Sequence, residues 1–210
     1  MTGRFITVEG IEGSGKSTVM PVAFGLIARA GHEVVMTREP GGTELGEEVR
    51  RVLLGHRAQA MSADTELLLM FAARAEHLAR VVRPALDGGR WVLCDRFTDA
   101  TYAYQGGGRG VSAKRIAILE NWVQGDVKPD LVLILDVPVG VGLDRARRRG
   151  VPDRFESEHQ HFFERVRATY LERAGAWPET YRVIDASRSV EDVQARVGDI
   201  LSDFARDLQA

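Results

Sequence analysis

The chain has 210 residues, 44% apolar and 28% charged, and its 28 basic and 30 acidic side chains leave a formal net charge of −2. That length supports one globular domain with a real core, and the near-neutral balance excludes a globally basic nucleic-acid coat, so any anion site must be a local cluster of arginine. A single cysteine, Cys94, excludes an internal disulfide framework and a multi-cysteine metal site, and fits a reducing compartment.

Arg4 to Glu9 reads as a short buried strand, followed by a glycine-rich turn. Its apolar stretch, Phe5 to Val8, is too short for the core of a secretion signal. No apolar run approaches the ~18 residues of a membrane span, so a cytoplasmic protein is expected. A helix follows from Lys16 or Ser17 to Ala30 and stops at Gly31, with Pro21 tolerated near its first turn. Glu33 to Thr37 is a second strand, Glu44 to Leu54 a short helix, and Asp64 to about Leu86 one long helix. Arg90 to Cys94 is a third strand and Ala113 to Val123 a helix. Asp130 to Asp136 is a continuous apolar strand of the kind covered on both faces. Pro138 to Arg148 and Glu158 to Ala174 are helices, Arg182 to Ile184 a last strand, and Val190 to Leu208 a terminal amphipathic helix. Cys94 reads as a small core residue, and Trp91, Trp122 and Trp177 as packing. The alternation predicts one α/β domain over 1–210: a mostly parallel five-stranded sheet with helices on both faces.

The segment Gly10 to Ser17 fits G-x-x-x-x-G-K-[ST] and lies between a predicted strand and a predicted helix. Glycines let backbone N–H groups converge on a phosphate at the positive end of a helix dipole. Lys16 supplies a point charge that follows the transferring group, and Ser17 a hydroxyl for Mg²⁺. Gly10, Gly13, Ser14, Gly15 and Thr18 complete the expected ATP cradle. Glu12 is an electrostatic liability beside a polyphosphate, so it reads as turned toward a second substrate. A GTPase is disfavoured: the base-reading N-K-x-D is missing, and the only asparagine, Asn121, precedes Trp122. A motor or partition ATPase stays open, since Asp95 or Asp136 could end a strand beside Mg²⁺. Arg38 and Arg96 each follow a strand's carboxyl end, where open α/β sheets bind ligands, and form a fork for a second phosphate. Ion pairs with Glu39 and Asp95 are the alternative. Arg145, Arg147, Arg148, Arg149 and Arg154 crowd one segment and repel one another unless an anion gathers them.

Taken in order, the phosphate loop with Glu12, Thr37–Thr43, Phe71–Arg74, Asp95-Arg96, Ala103–Gly110 and the arginine-rich segment at 145–154 resemble bacterial thymidylate kinase. The resemblance implies a three-layer P-loop kinase fold and Mg²⁺-assisted transfer of the ATP γ-phosphoryl group to dTMP. In it, Phe71 stacks on thymine, Arg74 and Thr101 meet its edge, Gln105 lines the pocket and Tyr104 stands where a ribose 2′-hydroxyl would lie. Glu12 receives the 3′-hydroxyl, while Arg38 and Arg96 hold the acceptor phosphate. Arg149 in a lid at about 145–156 clamps the transition state, and Arg145 stacks on adenine. Asp95 orients Arg96 or holds Mg²⁺ together with Ser17. The resemblance also implies a homodimer, with neither a nucleic-acid polymer nor a membrane as partner. Phe97 and Ala100 depart from it, standing where the family often has His or Tyr and Ser.

Overall fold

The computed structural model describes residues 3–56, 58–148 and 153–207. β1 (Phe5–Glu9), β2 (Val34–Arg38), β3 (Trp91–Asp95), β4 (Leu131–Asp136) and β5 (Tyr181–Asp185) form one sheet in the order β2-β3-β1-β4-β5, with every pairing parallel. β1 and β4 are buried apart from Asp136 at the end of β4, because parallel neighbours and helices cover both faces. The register sets Val8 beside Asp95, Arg38 beside Asp95 and Glu9 beside Ile134. Glu9, Arg38 and Asp95 therefore emerge on one carboxyl edge. The chain builds β2 and β3 on one side of β1 and then crosses to β4 and β5, so the edge of β1 is a topological switch point.

The helices are α1 (Lys16–Arg29), α2 (Glu44–Leu54), α3 (Ala63–His77), α4 (Arg83–Asp87), α5 (Thr98–Thr101), α6 (Ala113–Gln124), α7 (Val139–Arg147), α8 (Gln160–Ala176) and α9 (Val190–Asp207). Thr43 caps α2 by accepting the Gly46 amide, and Ser62 caps α3 by accepting that of Thr65. Three expectations change. Pro21 falls in the second turn of α1, where it removes an amide that would have bonded the Ser17 carbonyl. The long helix is α3 and α4 joined through a π-helical turn, Leu78–Val82, whose Leu78 and Val82 pack with Phe5, Val92 and Phe97. The run through Gly106–Gly108, which sequence patterning leaves without structure, is helical: α5 continues into a π-helical turn over Tyr102–Gly108. A Cβ on Gly107 would collide with Thr169 and one on Gly108 with Phe162, so these glycines permit close packing on α8.

The main core gathers α1, α8 and α9 on the sheet, around Ile6, Val8, Leu133, Phe163, Tyr170 and Val197. Cys94 is buried, as expected, and so is Trp91, whereas Trp122 on α6 is 80% exposed and so is not the packing residue expected. Among the described residues, no helix is long and apolar enough to cross a membrane.

Candidate active site

The loop between β1 and α1 runs along the switch point and separates two clefts. A Cβ on Gly13 would overlap the carbonyl of Gly142, so this glycine lets the loop rest directly on α7. Lys16 is buried, and its Nζ donates to the loop's own carbonyls, Gly10 at 3.0 Å and Ile11 at 3.1 Å. Burial first, and then the charge of Arg96, push the Lys16 pKa down to about 8, against the pull of Glu12, Asp95 and Glu9. The side-chain hydrogen bonds of this ammonium among the described residues go to carbonyls, which a polyphosphate can replace with full negative charge.

The first cleft, about 250 Å³, opens between the loop, β3, α2 and α3. Arg96 Nη2 donates to Glu12 Oε1 at 2.6 Å, the Tyr104 hydroxyl donates to the same oxygen at 3.1 Å, and the Arg96 guanidinium lies 4.6 Å from the Tyr104 ring centre. Burial opposes the Arg96 charge, but Glu12 and the neighbouring tyrosines outweigh it and hold its pKa well above the usual arginine value. Arg96 is thus oriented by Glu12 rather than by Asp95. Deeper in, Arg74 is almost wholly buried and spends its donors on Glu39 (2.7 Å), Gln124 (3.3 Å), the Phe97 carbonyl (3.0 Å) and Thr101 Oγ1 (2.9 Å). Glu39 also lies 2.8 Å from His77 Nδ1, whose other nitrogen meets Thr37 at 2.8 Å. Arg74, Thr101 and Tyr104 all line the cleft.

Three expected ligands stand elsewhere. Phe71 is buried with Leu67, Val111 and Ile116, 4.8 Å beneath the Arg74 guanidinium, and does not line the cleft. The apolar wall is Met70, one helical turn before Arg74, together with Phe97 and Ala100. Its signal was the i,i+4 spacing from Arg74. Gln105 is turned by the π-helical segment toward α3, where Nε2 donates to the buried Glu66 at 2.8 Å. Arg38 is tied at the rim in a two-pronged pair with Glu47, at 3.1 and 2.8 Å. Besides Arg74 and Arg96, the guanidinium that lines the cleft is that of Arg50, which donates to the Pro40 carbonyl at 2.9 Å. Burial, then Arg38 at the rim and then Arg96, lower the Arg50 pKa. Arg50 carries no motif, being one of two adjacent arginines on an amphipathic helix.

The second cleft, about 180 Å³, lies across the loop between Gly13–Gly15, Thr18, Arg145, Ala186 and α9. Arg145 Nη1 donates to the Ala186 carbonyl at 2.8 Å, which fixes its guanidinium on the cleft wall. The expected gathering of lid arginines is dispersed: Arg147 pairs with Asp144, while Arg154 bonds Glu66 at 2.6 Å and the Leu53 carbonyl at 2.8 Å. Arg149 and positions 150–152 of the expected lid lie outside the described residues.

The donor set suits Mg²⁺ held jointly with phosphates. Asp95 Oδ1 is buried with no partner among the described residues, and the exposed Ser17 shares the first cleft with it. The described residues hold no cluster of three His, Cys, Asp or Glu that could bind a metal alone. Mg²⁺ that borrows phosphate oxygens needs only one or two protein ligands.

The family profile described as thymidylate kinase matches residues 8–197. The chain is 60% identical over 201 residues to a thymidylate kinase of Pseudomonas syringae pv. syringae, covering 96% of each chain. It is 55% identical over 206 residues to one of Nitrosomonas europaea, covering 98% of this chain and 95% of the other. The crystal structure of thymidylate kinase from Ehrlichia chaffeensis superposes with a TM-score of 0.77 at 36% identity, over 96% of this chain and 99% of that one.

Proposed function

The chain belongs to the thymidylate kinase family, and we propose that it transfers the ATP γ-phosphoryl group to the phosphate of dTMP, giving dTDP and ADP. The reading is carried by one observation: a buried Lys16 stands between two clefts, one walled by Arg96 and Arg50 and the other by Arg145. ATP enters from the second cleft, with Arg145 on the base and the loop amides on the phosphates. Lys16 then exchanges its carbonyl partners for phosphate oxygens and follows the transferred group. The dTMP phosphate has a second pKa near ~6 and is dianionic at neutral pH, so no general base is required. Arg96 and Arg50 hold that phosphate, and Arg38 and Glu47 close the rim. Thr101, Met70 and Arg74 frame the base. Glu12 and Tyr104 meet the sugar, Glu12 at the 3′-hydroxyl and the Tyr104 ring against a 2′-hydroxyl. Ser17 and Asp95 would hold Mg²⁺, which when bound supplies charge neutralisation at the β- and γ-phosphoryl oxygens. Arg149 takes the clamping role on the strength of its place in the sequence before Gly150. Catalysis is positioning and charge neutralisation.

The same reading places the chain in the cytoplasm as a homodimer. Leu68 on α3 and Ile118 and Trp122 on α6 are 57%, 68% and 80% exposed, on helices joined by the Arg115–Asp64 ion pair at 2.8 Å. Apolar side chains so grouped suit a second copy of the chain.

The test is ADP release with ATP and Mg²⁺ alone, then with dTMP, dUMP, dCMP, dGMP, AMP and thymidine in turn. Stimulation chiefly by dTMP is expected. Equal rates with and without acceptors would point instead to a nucleotide-hydrolysing switch.

A further inference from the structure

Arg96 is the one non-glycine among the described residues with a left-handed backbone, at φ 68°, a conformation in which Cβ crowds the following carbonyl. It sits in the tight turn between β3 and α5, and what holds that turn decides where its guanidinium points. The Arg96 amide donates to Val8 O at 3.0 Å, and Cys94 Sγ to Arg96 O at 3.0 Å. Arg74 Nη2 donates to Phe97 O at 3.0 Å. The shortest contact is the Phe97 amide donating to Glu9 Oε1 at 2.6 Å. Glu9 is fully buried at the end of β1, outside the wall of either cleft. Its other oxygen accepts the Tyr170 hydroxyl at 2.9 Å, and that hydroxyl is 3.5 Å from Arg96 Nη1. Glu9 thereby reaches Arg96 twice, at the backbone through Phe97 and at the guanidinium through Tyr170.

We propose that Glu9 is a positioning residue for Arg96, holding the strained turn so that the guanidinium meets the acceptor phosphate. The inference rests on the reading of Arg96 as a phosphate ligand. The groups facing Glu9 are Asp99 from α5, Arg96 from the turn, Tyr170 from α8 and Lys16 from α1. Burial first and Asp99 second push its pKa up to about 8, against Arg96, Tyr170 and the Phe97 amide. At neutral pH Glu9 is therefore mainly protonated; in that form Oε1 still accepts the Phe97 amide while the acid O–H at Oε2 donates to the Tyr170 oxygen, a one-acceptor, one-donor pattern that glutamine reproduces.

Steady-state kinetics of Glu9→Ala, Glu9→Gln and Arg96→Ala at pH 7, with dTMP and ATP each varied, test this. Glu9→Ala leaves the buried Phe97 amide without an acceptor, and the KM for dTMP is expected to rise about tenfold or more while that for ATP stays within about twofold. Glu9→Gln is expected to bring the dTMP value back to within about threefold of the parent. The inference is overturned if Glu9→Gln is as impaired as Glu9→Ala, or if Glu9→Ala raises both KM values alike. Should Glu9→Ala not fold, Tyr170→Phe removes only the bridging hydroxyl and should raise the dTMP KM about threefold; an unchanged value counts against the idea. Arg96→Ala separates the two levels. An unchanged dTMP KM there removes the phosphate role of Arg96 itself. A rise with Arg96→Ala but none with Glu9→Ala removes only the role of Glu9.

Discussion

The first cleft, proposed for the acceptor, and the second, proposed for the donor, share one phosphate loop but are built by opposite means. In the first cleft Arg74, Thr101, Glu39 and His77 are bonded to one another, and Arg96 to Glu12. Most of these groups are taken out of water when the chain folds, so their directions are set before any substrate arrives. On the donor side Arg145 rests on a backbone carbonyl, while Arg147 and Arg188 sit in exposed pairs with Asp144 and Asp185. Exposed pairs of that kind contribute little and are easily exchanged for phosphate. On the proposed reading the difference teaches where discrimination resides: the acceptor would be read by a pre-bonded wall, and the donor gripped by groups that ATP itself organises.

Arg74→Ala strains this comparison most. It leaves Glu39 buried beside His77 without its guanidinium partner, and a loss of about 3–5 kcal/mol is expected in denaturant unfolding. A loss under about 1 kcal/mol would mean that the acceptor wall is not pre-built. Lys16→Met comes next, because both halves depend on that ammonium. Its kcat should fall about 10²–10³-fold while the fold, read by thermal unfolding, is retained. A third expectation concerns pH. The Lys16 pKa is lowered to about 8, so above pH 8 and up to the ordinary lysine value near ~10.4 the unfolded chain binds more protons and stability rises with pH. The Glu9 pKa is raised to about 8. Its stabilising share is fully present below the ordinary glutamate value near ~4.3 and is lost as pH rises through 8. In unfolding free energy measured against pH, Lys16→Met should flatten the rising limb and Glu9→Gln the falling one. Slopes identical to the parent's in both variants would contradict these assignments. The smallest effect is expected from Arg145→Ala: a rise in the ATP KM of about threefold, with the dTMP KM unchanged. A much larger rise would erase the contrast between the clefts.

Much of the fold was legible before any coordinates. The five strands and the helices between them follow from apolar runs punctuated by glycine, and Gly10–Ser17 carries its chemistry in consecutive residues. The acceptor wall was legible only in part. Arg74, Arg96, Thr101 and Tyr104 line the cleft as the motifs lead one to expect, but Met70 rather than Phe71 forms the apolar wall, and Arg50 rather than Arg38 supplies the cleft cation. Neighbouring residues on a helix point about 100° apart, and a spacing rule names a face without saying which neighbour covers it. Gln105 was lost for a related reason, since an unforeseen π-helical turn changes the direction of every later side chain.

By itself the amino-acid order determined what is written in adjacent residues: the strands, the phosphate loop and the lysine and hydroxyl it presents. Short-range backbone chemistry is enough for those, because glycine, lysine and serine act there through groups within a few bonds of one another. Tertiary structure alone decided how each helix is rolled about its axis, and so whether Met70 or Phe71 meets the cleft and whether Arg38 stands free or bonded to Glu47. The first choice is made by packing of α3 on α6, whose contacting side chains lie about forty positions away along the chain, and the second by the way α2 folds back on the end of β2.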